Sequence, residues 1–261
     1  MFTERAGSEH TVSVPVMHFE TEPLRRAAQL TLVRTAQERV EDDWCGPVTP
    51  LLPEIARLAS QCKMRRKIKA GAALFRTGDG SDGIYVVQSG FMKTVILRDG
   101  GRDQVTGFFM PGEVFGLAGL GLGEQTCEAV ALEDSNVILI PQGMLDCATD
   151  ERHSVRHALQ HLIGDEMVRE QAMMFVLGTL HAEERLAAFL LNLSRRLAMR
   201  GFSALEFIMR MTRDEIASYL GMKMETVSRT FSHFSRRGIL SVDGKHVTIR
   251  NLAALRAVMQ N

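Results

Sequence analysis

The spacing of hydrophobic and polar positions changes character twice along the chain. From Met64 to Pro141 the apolar runs are short and rich in Val, Ile and Phe. Turn residues punctuate them at Lys69-Ala70-Gly71, Gly78-Asp79-Gly80, Ser89-Gly90, Asp99-Gly100-Gly101 and Pro111-Gly112. Runs of this length, recurring at roughly eight to twelve residues, predict a β-barrel or jelly roll. Just upstream, LLPEIARLASQC predicts a short helix after Pro50. Residues 1 to 44 are polar and read as an extension with one helix around Leu24 to Arg39 and an acidic run, Glu41-Asp42-Asp43.

After Pro141 the period becomes helical. Arg156, Ile163, Glu170 and Leu177 recur every seven residues, and Gln160, Met167 and Met174 fall between them. Spacing that alternates four and three predicts a coiled-coil seam joining two copies of a long helix, with packing on the chain's own barrel as the alternative. A charged Glu170 in that seam opposes association, because like charges repel when desolvated. Next, HAEERLAAFLLNLSRRLAMRG is an amphipathic helix closed by Gly201. Thr212, with Glu215 three residues on, spells a capping box for a short helix from Arg213 to Leu220. Gly221 permits a sharp turn, a second helix runs from about Met224 to Arg236 and ends at Gly238, and ILSVDGKHVTI reads as a hairpin joined at Asp243-Gly244.

Helix, turn, helix and hairpin in that order predict a winged helix-turn-helix, whose second helix enters the DNA major groove. Glu225, Ser228 and Arg229 then form a reading head: Arg grips guanine, Glu accepts from cytosine, and Ser serves either kind of edge. Arg213, Lys223, Thr226, Arg236, Arg237 and Lys245 flank it and are the candidates for phosphate contacts. The competing explanation is a solvated face with a Glu225–Arg229 ion pair, worth about 0.3–0.5 kcal/mol.

Charge supports the DNA reading only through its distribution. The chain is neutral overall, yet residues 181 to 261 carry 13 Lys and Arg against 7 Asp and Glu, while the preceding 180 carry 18 against 24. A basic third on an acidic body suggests a phosphate-binding module attached to something with another task. The predicted class is α+β, in four parts: an extension (1–44), a β-roll (45–150), a dimerisation helix (151–180) and the winged helix-turn-helix (181–261). Neither a signal pattern nor a long apolar run is present, so a cytoplasmic protein without a membrane partner is expected. Cys45, Cys62, Cys127 and Cys147 lie 17, 65 and 20 residues apart, which is not metal-ligand spacing.

The order of these parts resembles the Crp/Fnr family of bacterial transcription regulators, and HAEERLAAFLLNLSRRLAMRGFS, MTRDEIASYLG and ETVSR closely resemble its Fnr branch. The resemblance implies that Glu225, Ser228 and Arg229 read a TTGAT half-site in an inverted repeat of double-stranded DNA. It also implies a homodimer along the long helix, and contact between RNA polymerase and the loop Arg98-Asp99-Gly100-Gly101-Arg102-Asp103.

The sensors of the family fit less well. The branch's iron–sulfur cluster takes three N-terminal cysteines and one in the roll; Cys45 matches the last of the three, but Ala36, Arg39 and Ile138 occupy the other positions. Cyclic-AMP binders carry a ribose-binding Glu and an Arg-Ser pair where Gly116-Leu117 and Thr126-Cys127 stand here. Lacking that Arg, a cyclic phosphate loses its charge-assisted grip. His153, His157 and His161 lie on one side of a helix and could ligate haem, although an exposed polar stripe explains them more simply. With no His between His18 and His153 there is no cupin-type metal site, and no catalytic set stands out. What remains is a non-enzymatic, FixK-like regulator without cofactor or metal, with a ligand-gated version (haem, nitric oxide or redox thiol) as the alternative.

Overall fold

The computed structural model describes residues 50–98, 102–146 and 152–260. The extension, its expected helix and Cys45 lie outside these residues. Helix α1 (Pro53–Gln61) starts on a proline, whose missing N–H is no loss in a first turn, and buries Ile55, Leu58 and Ala59.

Eight strands follow: β1 (Arg65–Ile68), β2 (Ala73–Phe75), β3 (Gly83–Ser89), β4 (Met92–Arg98), β5 (Arg102–Phe109), β6 (Val114–Phe115), β7 (Glu128–Ala131) and β8 (Ser135–Pro141). A short helix, α2 (Leu117–Leu122), interrupts them after β6. They form two antiparallel four-stranded sheets in the orders β1-β8-β3-β6 and β2-β7-β4-β5, the roll that the apolar runs predict. The β3–β4 turn accepts only glycine: Gly90 has φ +83°, and a Cβ there would lie 2.2 Å from Ser135 Oγ. Between the sheets, Phe75, Tyr85, Phe109 and Phe115 pack with ring centroids 5.2 to 6.1 Å apart. Met92, Val137 and Leu139 close the remaining space, each essentially without solvent exposure.

After α3 (Gln142–Asp146) comes α4 (Arg152–Thr179), 28 residues long and therefore roughly 42 Å from end to end. Two of its faces are apolar. Val155, Ala158 and Leu162 pack with α1 and the roll in one core, whereas Ile163, Met167 and Met174 are 44%, 56% and 67% exposed. Arg156, Gln160 and Glu170 are exposed on the same stripe, and Val168 and Phe175 widen it. Leu177 departs from this pattern: it is half-buried, and its Cδ2 lies 3.2 Å from where a Gly221 Cβ would stand. Among the described residues no helix is long and apolar enough to cross a membrane.

The C-terminal part comprises α5 (Ala182–Ala198), β9 (Glu206–Ile208), α6 (Arg213–Tyr219), α7 (Met224–Arg236), β10 (Leu240–Asp243), β11 (His246–Ile249) and α8 (Leu252–Ala257). Helix α5 stops three residues before Gly201, which takes a positive φ just beyond it. The Arg185 guanidinium donates to Leu177 O and Leu220 O at 2.8 and 3.0 Å, and its Nε to Leu180 O at 2.8 Å. One side chain thereby satisfies carbonyls at the end of α4 and at the turn after α6.

Candidate nucleic-acid interface

The interface is built on α6 and α7. Thr212 Oγ1 accepts from Glu215 N at 3.1 Å, and Glu215 Oε2 accepts from Thr212 N at 2.7 Å, so the capping box read in the sequence closes. Gly221, at φ +60°, turns the chain. Helix α7 then spans Met224 to Arg236 as its period predicts, burying Val227, Thr230, Phe231 and Phe234.

Its opposite face carries the residues that the sequence suggests as base readers. Glu225 and Arg229 are exposed and Ser228 is half-exposed. Among the described residues no ion pair joins Glu225 to Arg229; instead Arg229 Nη2 reaches Thr226 Oγ1 at 3.5 Å, the weak limit of a hydrogen bond. The carboxylate keeps its acceptors and the guanidinium nearly all its donors, which is the state base edges require.

The flanking positions separate into two kinds. Lys223 precedes the first turn of α7, Arg236 and Arg237 end the helix, and Lys245 tips the wing, all exposed. The wing loop is Gly244-Lys245, one residue later than the Asp-Gly pair suggests, because Asp243 pairs with His246 and Gly244 supplies the positive φ. That shift places Lys245 at the tip. Thr226 is half-buried and its carbonyl accepts from Thr230 Oγ1 at 2.9 Å. Arg213 differs most from expectation: its guanidinium carbon lies 3.3 Å from the Phe231 ring centre, and its buried Nη1 has no hydrogen-bond partner among the described residues. Burial lowers its pKa, yet an arginine stays charged. Arg213 is thus first a strut between the two helices of the motif.

Of the loop expected to meet polymerase, Asp99, Gly100 and Gly101 lie outside the described residues; Arg98 pairs with Arg102 as the last register of the β4–β5 hairpin. Among the described residues no group of three or more His, Cys, Asp or Glu could hold a metal ion. His157 and His161 are exposed with ring centroids 4.6 Å apart. Cys62 is buried with its Sγ 3.4 Å from Met144 Sδ, and burial pushes its pKa up. Burial, with Glu166 adding to it, pushes the Cys127 thiol up to about 11.

A set of tertiary ties escaped the sequence reading. Glu113, just past the Pro111-Gly112 turn, binds Arg196 of α5 and Arg200 in the turn that follows it, and Lys93 Nζ of β4 lies 2.8 Å from Glu215 Oε1. Arg196 and Arg200 are four residues apart across the end of α5, a weak local sign of a shared anionic partner.

Comparison with known proteins agrees with this architecture. Residues 65–149 match the family model for a cyclic nucleotide-binding domain, and residues 184–258 that for a Crp-like helix-turn-helix domain. The transcriptional regulatory protein btr of Bordetella pertussis is 38% identical over 215 residues, 82% of this chain and 89% of the relative. The fumarate and nitrate reduction regulatory protein of Salmonella typhi is 39% identical over 214 residues, 82% and 86% of the two chains. The structure of FixK2 from Bradyrhizobium japonicum superimposes with TM-score 0.68 at 30% identity, over 75% of this chain and 96% of that one. A roll with the fold of a cyclic nucleotide-binding domain, a long helix and a DNA-binding helix-turn-helix, with these relatives, place the chain in the Crp/Fnr family of transcription regulators, whose members are not enzymes.

Proposed function

We propose that the chain is a FixK-like activator that binds an inverted TTGAT-type repeat as a homodimer, without an iron–sulfur cluster or a cyclic nucleotide. The reading rests chiefly on Glu225, Ser228 and Arg229, which face solvent together on α7 while its other face is fully packed. Lys223, Thr226, Arg236 and Lys245 flank them as phosphate contacts, joined by Arg213 if DNA draws its free donor outward. The exposed stripe of Ile163, Met167 and Met174 supports the homodimer, because apolar positions of a long helix at alternating spacing call for a second helix.

The roll residues disfavour both familiar effectors. A cyclic nucleotide needs a cavity and an Arg, whereas the roll interior holds four aromatic rings packed against one another and Thr126 is exposed at the Arg position. A cluster needs thiolates, whereas Cys62 and Cys127 are held as thiols and Ile138 lies in the wall of the roll. Control through the protein's abundance follows. RNA polymerase is the proposed partner of the β4–β5 hairpin, from Arg98 to Asp103.

A ligand-gated reading has one observation in its favour, an open cleft of about 600 Å³ at the start of α4, lined by Glu54, Arg156, His157 and His161. Titration of purified protein with a labelled inverted repeat tests both readings. Tight binding by colourless protein supports the ligand-free regulator, and binding that appears only with haem and its absorbance band supports the alternative.

A further inference from the structure

The DNA-binding domain is fastened to the roll through α5 and α6, while α7 presents its reading face to solvent. The ties form one continuous joint. Glu113 Oε1 accepts from Arg196 Nε at 3.0 Å and Arg200 Nη2 at 2.7 Å; its Oε2 accepts from Met110 N at 3.0 Å and from Arg196 Nη2. Arg200 Nε also donates to Pro111 O at 2.7 Å, and Arg196 Nη2 to Phe108 O. The three side chains are only 10%, 15% and 13% exposed.

At the edge of the roll, Ser218 Oγ of α6 accepts from Val105 N and donates to Asp103 O, each at 2.9 Å. Strand β5 is a sheet edge, so this hydroxyl occupies the place of a missing strand. Lys93–Glu215 adds an ion pair less than 20% exposed at both ends, and Arg210–Glu133 adds a second at 2.8 Å. Phe108 lies between the two bodies, 5.1 and 6.1 Å from the rings of Tyr219 and Phe189.

We propose that Glu113 is a positioning residue, which locks the reading head to the roll and so sets the separation of half-sites that a dimer accepts. The inference rests on the reading that the chain binds an inverted repeat as a homodimer. In such a dimer the seam on α4 fixes one roll against the other, and the joint fixes each α7 against its roll. The spacing of the reading helices, about 34 Å for one turn of DNA, is the product of those two constraints. Removing the carboxylate takes away the anion that Arg196 and Arg200 share and leaves them carbonyl acceptors such as Phe108 O and Pro111 O, which weakens the joint, since a buried charge that loses its counter-charge is disfavoured. Burial pushes the Glu113 carboxyl up, but Arg196, Arg200 and the Met110 N–H outweigh it and hold it below the usual carboxylate range, so the anion is present at neutral pH.

The test compares wild type with Glu113→Gln and, as a milder disturbance of the same joint, Lys93→Met. Binding is measured on a single half-site, on the preferred inverted repeat, and on repeats with the halves moved by one and two base pairs either way. The expected result for both variants is half-site affinity within about twofold of wild type, a loss of roughly tenfold on the preferred repeat, and a flattened dependence on spacing. Unchanged discrimination among spacings in Lys93→Met and in folded Glu113→Gln overturns the proposal and leaves the joint a purely structural contact. Should Glu113→Gln not fold, Lys93→Met alone decides. Wild type that binds the repeat no more tightly than one half-site overturns the dimeric reading itself, and the inference with it.

Discussion

The guanidinium carbon of Arg213 lies 3.3 Å from the centre of the Phe231 ring, so the first residue of α6 is stacked on a buried residue of the reading helix. A cation over an aromatic face is worth about 0.5–1 kcal/mol when exposed and more when desolvated, as it is here. Arg213→Ala is expected to lower the melting temperature measurably, while Lys223→Ala, at an exposed position, leaves it within error. Equal melting temperatures in thermal denaturation would return Arg213 to the class of simple phosphate contacts.

Base reading separates from phosphate contact by its sequence dependence. Arg229→Ala should weaken binding to a TTGAT repeat by about 1–3 kcal/mol per site and relax the preference at one base, as lost bidentate contacts do. Lys245→Ala, at the wing tip, should weaken every sequence alike and flatten the salt dependence. Fluorescence anisotropy on specific and scrambled duplexes across a salt series distinguishes them.

The stripe on α4 carries a built-in conflict. Met167 is 56% exposed and apolar, whereas Glu170 on the same stripe would bring two carboxylates near the axis of the proposed dimer. Met167→Glu should dissociate the dimer and abolish repeat binding together, and Glu170→Ala should tighten it. Sedimentation equilibrium at micromolar concentration reads both effects, and a wild type that stays monomeric there would point to an effector that drives association.

Thiol chemistry is the weakest route to regulation through the described cysteines. The thiolate is the reactive form, and Cys127 is pushed up to about 11, with Cys62 shifted the same way by burial. A folded-state pKa raised above the ordinary value keeps the proton on through neutral pH, and Cys127 gives up its proton only as the pH rises towards 11. In a Cys45→Ser/Cys147→Ser background, native protein at pH 7.5 should therefore react with iodoacetamide far more slowly than the same protein in denaturant. Comparable rates in the two states would show that a roll thiol is available to oxidants.

The hairpin proposed to meet polymerase should give a separable phenotype. Arg98→Ala with Arg102→Ala should keep operator affinity and lose activated transcription in a purified system with RNA polymerase. Unchanged activation would make the hairpin a solvated turn.

Local patterns record what neighbouring residues decide among themselves. The short apolar runs of the roll with the turns between them, the box of Thr212 and Glu215, the turn at Gly221 and the boundaries of α7 were all legible, because caps, turns and amphipathic faces depend on residues within a few positions of one another. Glu225, Ser228 and Arg229 were legible for the same reason: one helical period puts them on one face. Leu177 shows where that logic ends, since its heptad position continues the stripe while the fold turns it against Gly221. Glu113 meets Arg196 across 83 residues and Ser218 meets Asp103 across 115, and no local period carries such pairings. Arg213 likewise looks like any basic flanking residue until packing two short helices slides Phe231 beneath it. Burial and partnership at these positions come from the way the roll and the helices close on each other, a long-range outcome of packing that leaves charge and spacing along the chain unchanged.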